Sequence, residues 1–97
     1  MKKRKKHKKV KFKTTFTLVS PKVSITKIPE KGVLGYAYQE EARIEIDPRQ
    51  QSKEFLDTLI HELIHCFFPM LGEEYVEKMS TKIANQIWSK GYRRIQK

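Results

Sequence analysis

Apolar residues recur first with the period of a strand and later with the period of a helix, and that change divides the chain. Val10, Phe12, Phe16 and Leu18 alternate with Lys11, Lys13, Thr15 and Thr17, the pattern of a first strand with one buried face. Ser20-Pro21 ends it. Val23, Ile25 and Ile28 predict a second, less regular extended piece. Pro29-Glu30-Lys31-Gly32 predicts a turn, since proline presets φ and glycine accepts a positive φ. Val33 to Tyr38 is a third predicted strand and Arg43 to Asp47 a fourth, joined by a hairpin turn at Gln39-Glu40-Glu41-Ala42. Ile44 and Ile46 face the core in this reading, and Arg43 and Glu45 face out. Gly35 and Ala37 leave one face of the third strand bare, which invites close backbone approach; the expectation is simple weakening of the strand by small residues.

After Asp47-Pro48 the spacing becomes helical. Ser52 suits an N-cap for a helix beginning at Lys53, and Glu54 in its first turn suits the dipole. Leu59, Ile60, Leu63, Ile64, Phe67 and Phe68 give that helix a broad apolar face, and it must stop before Pro69. Pro69-Met70-Leu71-Gly72 is a tight reversal. A second helix runs from Glu73 to about Lys90, with Val76, Met79, Ile83, Ile87 and Trp88 as its apolar stripe and Gly91 as its stop. The fold class is α+β: a small mixed or antiparallel sheet of three to four strands, packed on the first helix and followed by the second.

A chain of 97 residues allows one domain. Its apolar content of 38 % is enough for a globular core. The formal charge of +10 misdescribes that domain, because residues 1–13 hold nine Lys or Arg and no acid. The remaining residues carry twelve basic and eleven acidic side chains, close to neutral. Residues 1–9 therefore read as a disordered basic tail and residues 10–97 as a single domain. Such a tail attaches to nucleic acid without sequence preference, or is simply a solvated charge run; no aromatic residue interleaves it to stack on bases. Cys66 is the only cysteine, so no internal disulfide forms and a reducing compartment fits. No apolar run approaches the ~20 residues of a membrane span, and no signal-like stretch follows the N-terminal charges. The expectation is a soluble, cytoplasmic protein.

The chemistry concentrates in Thr58-Leu59-Ile60-His61-Glu62-Leu63-Ile64-His65-Cys66. His61 and His65 are four residues apart, so on a helix both rings point to one place. Two converging imidazoles suit zinc, and Glu62 stands where it reaches a water on the metal without binding it. Buried core histidines are the plainer explanation of either ring alone, but not of the pair with Glu62 in that slot. A catalytic zinc takes three protein ligands. Cys66 is about 100° round the helix from His65 and is better read as a small buried apolar residue. Glu73, three residues before Val76, faces the first helix and is the preferred third ligand, with Glu77 one turn later as the alternative. Glu74 reads as a solvent-facing charge favoured by the dipole. Asp57 or Thr58 is the expected partner behind a ligand histidine.

These residues resemble the gluzincin branch of zinc metallopeptidases, and the whole resembles its smallest, minigluzincin-type and phage-encoded peptidase-like members. The resemblance rests on Ile44-x-Ile46-Asp47, on Leu59-Ile60-His61-Glu62-Leu63-Ile64-His65, and on Leu71-Gly72-Glu73-Glu74-x-Val76. It spans about residues 33–92. It implies a minimal zincin-like domain and a zinc-dependent peptidase acting on peptide or protein substrates. His61, His65 and Glu73 would hold the Zn2+, Glu62 would act as general base, and Val33 to Tyr38 would be an edge strand that binds extended peptide. Tyr36, Tyr38, Tyr75, Tyr92 and Arg93 are candidates for the group that steadies the oxyanion. A peptidase that its basic tail, residues 2–9, tethers to protein bound on nucleic acid is compatible with this reading, and two other classes compete. A metal-dependent nuclease gripped by the basic tail lacks the third histidine common in small endoribonucleases, and a module with a structural zinc leaves Glu62 without a purpose.

Overall fold

The structure, a computed structural model, describes residues 19–95. The expected strand at residues 10–18 and the basic tail at 1–9 lie outside the described residues. The chain forms β1 (Lys22–Ile25), β2 (Gly35–Tyr38), β3 (Arg43–Ile46), α1 (Ser52–Phe67) and α2 (Glu73–Ser89). It is a small α+β domain with a three-stranded mixed sheet and two helices. β3 is central, antiparallel to β2 with Ala37 opposite Ile44, and parallel to β1 with Val23 opposite Ile44 on its other side.

The period of two in β2 and β3 sets which face meets the helix. Ala37, Ile44 and Ile46 are buried against Phe55 and Cys66 of α1, with Leu59 and Leu63 packed round them. Tyr36, Tyr38, Arg43 and Glu45 occupy the other face, where Arg43 bonds Glu45 at 2.7 Å and lies over the Tyr38 ring. The turn between the strands is a short 3-10 segment, Gln39–Glu41, closed by Ala42 at φ 48°. A positive φ is uncommon outside glycine. Gly32, at φ 79°, takes the conformation expected of the preceding turn.

α1 sits between the sheet and α2. One face meets the strands; Ile60 and Ile64 on another meet Val76 and Ala84 of α2, flanked by Leu56, Leu71 and Ile87. Three expectations about the elements change. Ser52 is the first helical residue and Gln51 takes the extended cap position, its carbonyl accepting from Phe55 N–H at 2.7 Å. The third strand begins at Gly35 and not at Val33, because Val33 N–H closes the preceding turn on the Glu30 carbonyl. The contact stripe of α2 is Val76, Ser80 and Ala84, while Met79 and Ile83 are 37 % and 39 % exposed. The helices approach along a four-residue ridge, which favours small side chains at the crossing over larger ones. No helix of the described residues is long and apolar enough to cross a membrane.

Candidate metal centre

Successive residues of α1 are about 100° apart, so His61 and His65 emerge between the face turned to the sheet and the face turned to α2. α2 begins at Glu73 after the reversal at Pro69-Met70-Leu71-Gly72, and its first residue comes to the end of both rings. His65 Nε2 lies 2.7 Å from Glu73 Oε1, His61 Nε2 lies 2.9 Å from Glu73 Oε2, and the two ring nitrogens are 3.1 Å apart. His61 is fully buried, His65 nearly so, and Glu73 is 52 % exposed at its side chain, so the cluster opens to solvent at Glu73. Hydrogen bonds from His61 and then His65 hold the Glu73 carboxyl well below the usual carboxylate range, against the opposing effect of its partial burial.

The donor set fits zinc. Two imidazole nitrogens and a carboxylate oxygen could hold a metal ion, and they are donors of the kind zinc takes. Bonds of about 2.0–2.1 Å in a tetrahedron separate ligand atoms by about 3.3 Å, so atoms 2.7–3.1 Å apart need move only a few tenths of an ångström. Glu77, the alternative ligand, is one turn further along α2 and outside the three-residue cluster.

Glu62 is fully buried on the same helix as the histidines. It is packed under β2, where a β-carbon on Gly35 would sit 3.2 Å from Glu62 Cγ, 3.0 Å from Thr58 Cγ2 and 3.2 Å from the Glu45 carbonyl oxygen. Gly35 is therefore the point of close approach between β2 and α1, and not merely a weak position in a strand. Burial raises the Cys66 thiol to about 11, with the Glu62 charge adding to the effect, as suits a core residue.

Two glutamines seat α1 against the sheet, and neither stood out in the sequence. Gln39 Nε2 donates to the His65 carbonyl at 2.7 Å. Gln50 Nε2 donates to the Leu34 and Asp47 carbonyls, and its Oε1 accepts from the buried Thr58 hydroxyl at 2.6 Å. Asp57, expected behind a ligand histidine with Thr58, turns its carboxylate toward α2 instead and accepts from Ser80 and Thr81 at 2.9 and 3.0 Å. These bonds join α1 to α2. Of the oxyanion candidates, Tyr36 and Tyr38 are on the sheet face away from α1, Tyr75 and Tyr92 are 66 % and 70 % exposed, and Arg93 stacks on Trp88.

No protein-family model matches the chain, and neither a curated protein nor a solved structure shows significant similarity to it.

Proposed function

We propose that the chain is a zinc-dependent metallopeptidase of minimal zincin type. The observation that carries this reading is the convergence of His61 Nε2, His65 Nε2 and the Glu73 carboxylate at one point. His61, His65 and Glu73 would hold the zinc, which would supply Lewis-acid polarisation of a peptide carbonyl and the acidification of water near neutral pH. His61 and His65 each present Nε2 to the site. Glu62 accepts a proton from water at its carboxylate and returns it to the leaving amine. Among the described residues β2 is an edge of the sheet, which supports binding an extended peptide by main-chain hydrogen bonds.

The test is zinc content and hydrolysis of an unstructured protein substrate such as casein, for wild type and Glu62→Gln. The variant retains the three ligands and the metal, and its turnover falls about 10²–10⁴-fold. A zinc-loaded wild type that cleaves no peptide bond, or a Glu62→Gln that cleaves as fast, defeats the reading.

A further inference from the structure

α1 has a second flank, opposite the histidines, where the sheet and α2 stand apart. It holds a cavity of about 360 Å³, within the ~300–1,000 Å³ range of small-ligand sites. Val23 and Ile25 of β1, Phe55 and Leu59 of α1, and Ile87 and Trp88 of α2 line it. Val23 and Ile25 are 40 % and 54 % exposed there. The residues after α2 come across its rim. Arg93 sets its guanidinium carbon 3.5 Å from the Trp88 ring centroid, and Arg94 sets its own 4.1 Å from that of Phe55.

These two arginines differ from the other described ones. Arg43 holds Glu41 and Glu45, and Arg49 holds Asp47. Among the described residues neither Arg93 nor Arg94 has a carboxylate partner: Arg93 donates to the Trp88 and Tyr92 carbonyls, and Arg94 has the Phe55 ring. An apolar cavity thus carries at its rim two positive charges that no carboxylate among the described residues pairs.

We propose that this cavity binds an anionic amphiphile, a single carboxylate on an apolar chain or ring. The carboxylate pairs with the Arg94 fork beside Arg93, and the apolar part lies between Phe55, Leu59 and Trp88. A guanidinium stacked on a ring keeps its N–H edge free for a bidentate carboxylate. Enclosure by three elements and a volume of this size favour a small molecule over a length of peptide. The segment Val10 to Leu18 of this chain is poorly matched to the rim, because Lys11 and Lys13 interrupt its apolar residues.

Trp88 is the only tryptophan and reports on the cavity directly. Full-length protein is titrated with decanoate below its micellar range, and with decanol and decyltrimethylammonium as neutral and cationic controls. Decanoate is expected to change Trp88 fluorescence saturably with one site, and the controls to bind about tenfold more weakly or worse, the scale of one charge-assisted contact. Arg94→Gln, an exposed change that leaves the core intact, removes the preference; Lys90→Gln, a nearby surface charge, does not. No saturable response, an equal response to the cationic control, or an unchanged decanoate affinity in Arg94→Gln overturns the proposal. A response to acidic peptides alone also overturns it and marks the flank as a protein-docking surface.

Discussion

The side-chain amide of Gln39 donates to the main-chain carbonyl of His65 across 2.7 Å. In a continuing helix that carbonyl would accept from the residue four places on, which is Pro69 and has no N–H. Gln39 supplies the missing donor from the turn after β2, and so ties the main chain at His65, a candidate ligand, to the sheet. Gln39→Ala is expected to lower stability by about 1–3 kcal/mol, the scale of leaving a buried acceptor unsatisfied. Urea denaturation measures it, and zinc affinity should weaken in parallel. A variant as stable as wild type with unchanged zinc affinity would mean that water serves the carbonyl equally well.

The metal assignment divides on two glutamates of one helix. Glu73→Ala removes one of three donors, and zinc in the reconstituted protein should fall well below about one ion per chain. Glu77→Ala, one turn away, should keep its zinc. Chelation offers a second readout, since a ligand bound only by the folded state stabilises it. Removing zinc should lower the Tm of wild type and Glu77→Ala but not that of Glu73→Ala. Zinc lost in Glu77→Ala and kept in Glu73→Ala would reverse the assignment.

Much of this arrangement was legible in the chain. The alternation at Ile44 and Ile46, the helical spacing of the histidines, and the short reversal before Glu73 each report a local geometry, and local geometry survives folding. What was not legible depends on partners distant in sequence. Met79 and Ile83 outrank Ser80 and Ala84 in hydrophobicity, but at a close helix crossing size decides, and the smaller pair is buried. Gly35 looked like a weak strand residue until α1 placed Thr58 and Glu62 against it. Gln39 and Gln50 look like any surface amides; the only clue to Gln39 was a proline four residues after a candidate ligand.

Acid should weaken the join between the sheet and the loop before it. Asp47 accepts from Ile28 N–H, Arg49 N–H and the Arg49 guanidinium, and these bonds, the guanidinium foremost, hold its carboxyl below the usual range. A carboxyl whose pKa is lowered by folding stabilises the protein above its unfolded value of about 3.9, and that contribution is lost as pH falls from there toward the lower folded value. Asp47→Asn should therefore cost about 1–3 kcal/mol at pH 7, because the Ile28 N–H and the guanidinium lose their charged acceptor. The gap between variant and wild type should narrow below about pH 4. Urea melts at pH 7 and pH 3 measure both, and a gap that stays constant with pH would rule out the linkage.

The crossing of the two helices makes a prediction opposite to that from hydrophobicity alone. Val76, Ser80 and Ala84 are at most 1 % exposed, and Val76 and Ala84 pack with Ile60 and Ile64, so the space beside Ala84 is already filled. Ala84→Leu adds apolar surface, yet overpacking a filled contact costs about 1–3 kcal/mol. In a domain of this size that lowers Tm by about 4–8 °C for each kcal/mol. Ile83→Ala removes a large apolar side chain that is 39 % exposed and should cost less. The two variants should also differ at the metal. α2 delivers Glu73 to the histidines from its first turn, so forcing the helices apart at Ala84 should weaken zinc binding, whereas trimming Ile83 should leave it intact. Thermal melts with and without zinc separate these outcomes. An Ala84→Leu variant that melts at the wild-type temperature and binds zinc as tightly would show that α2 does not pack through Ala84.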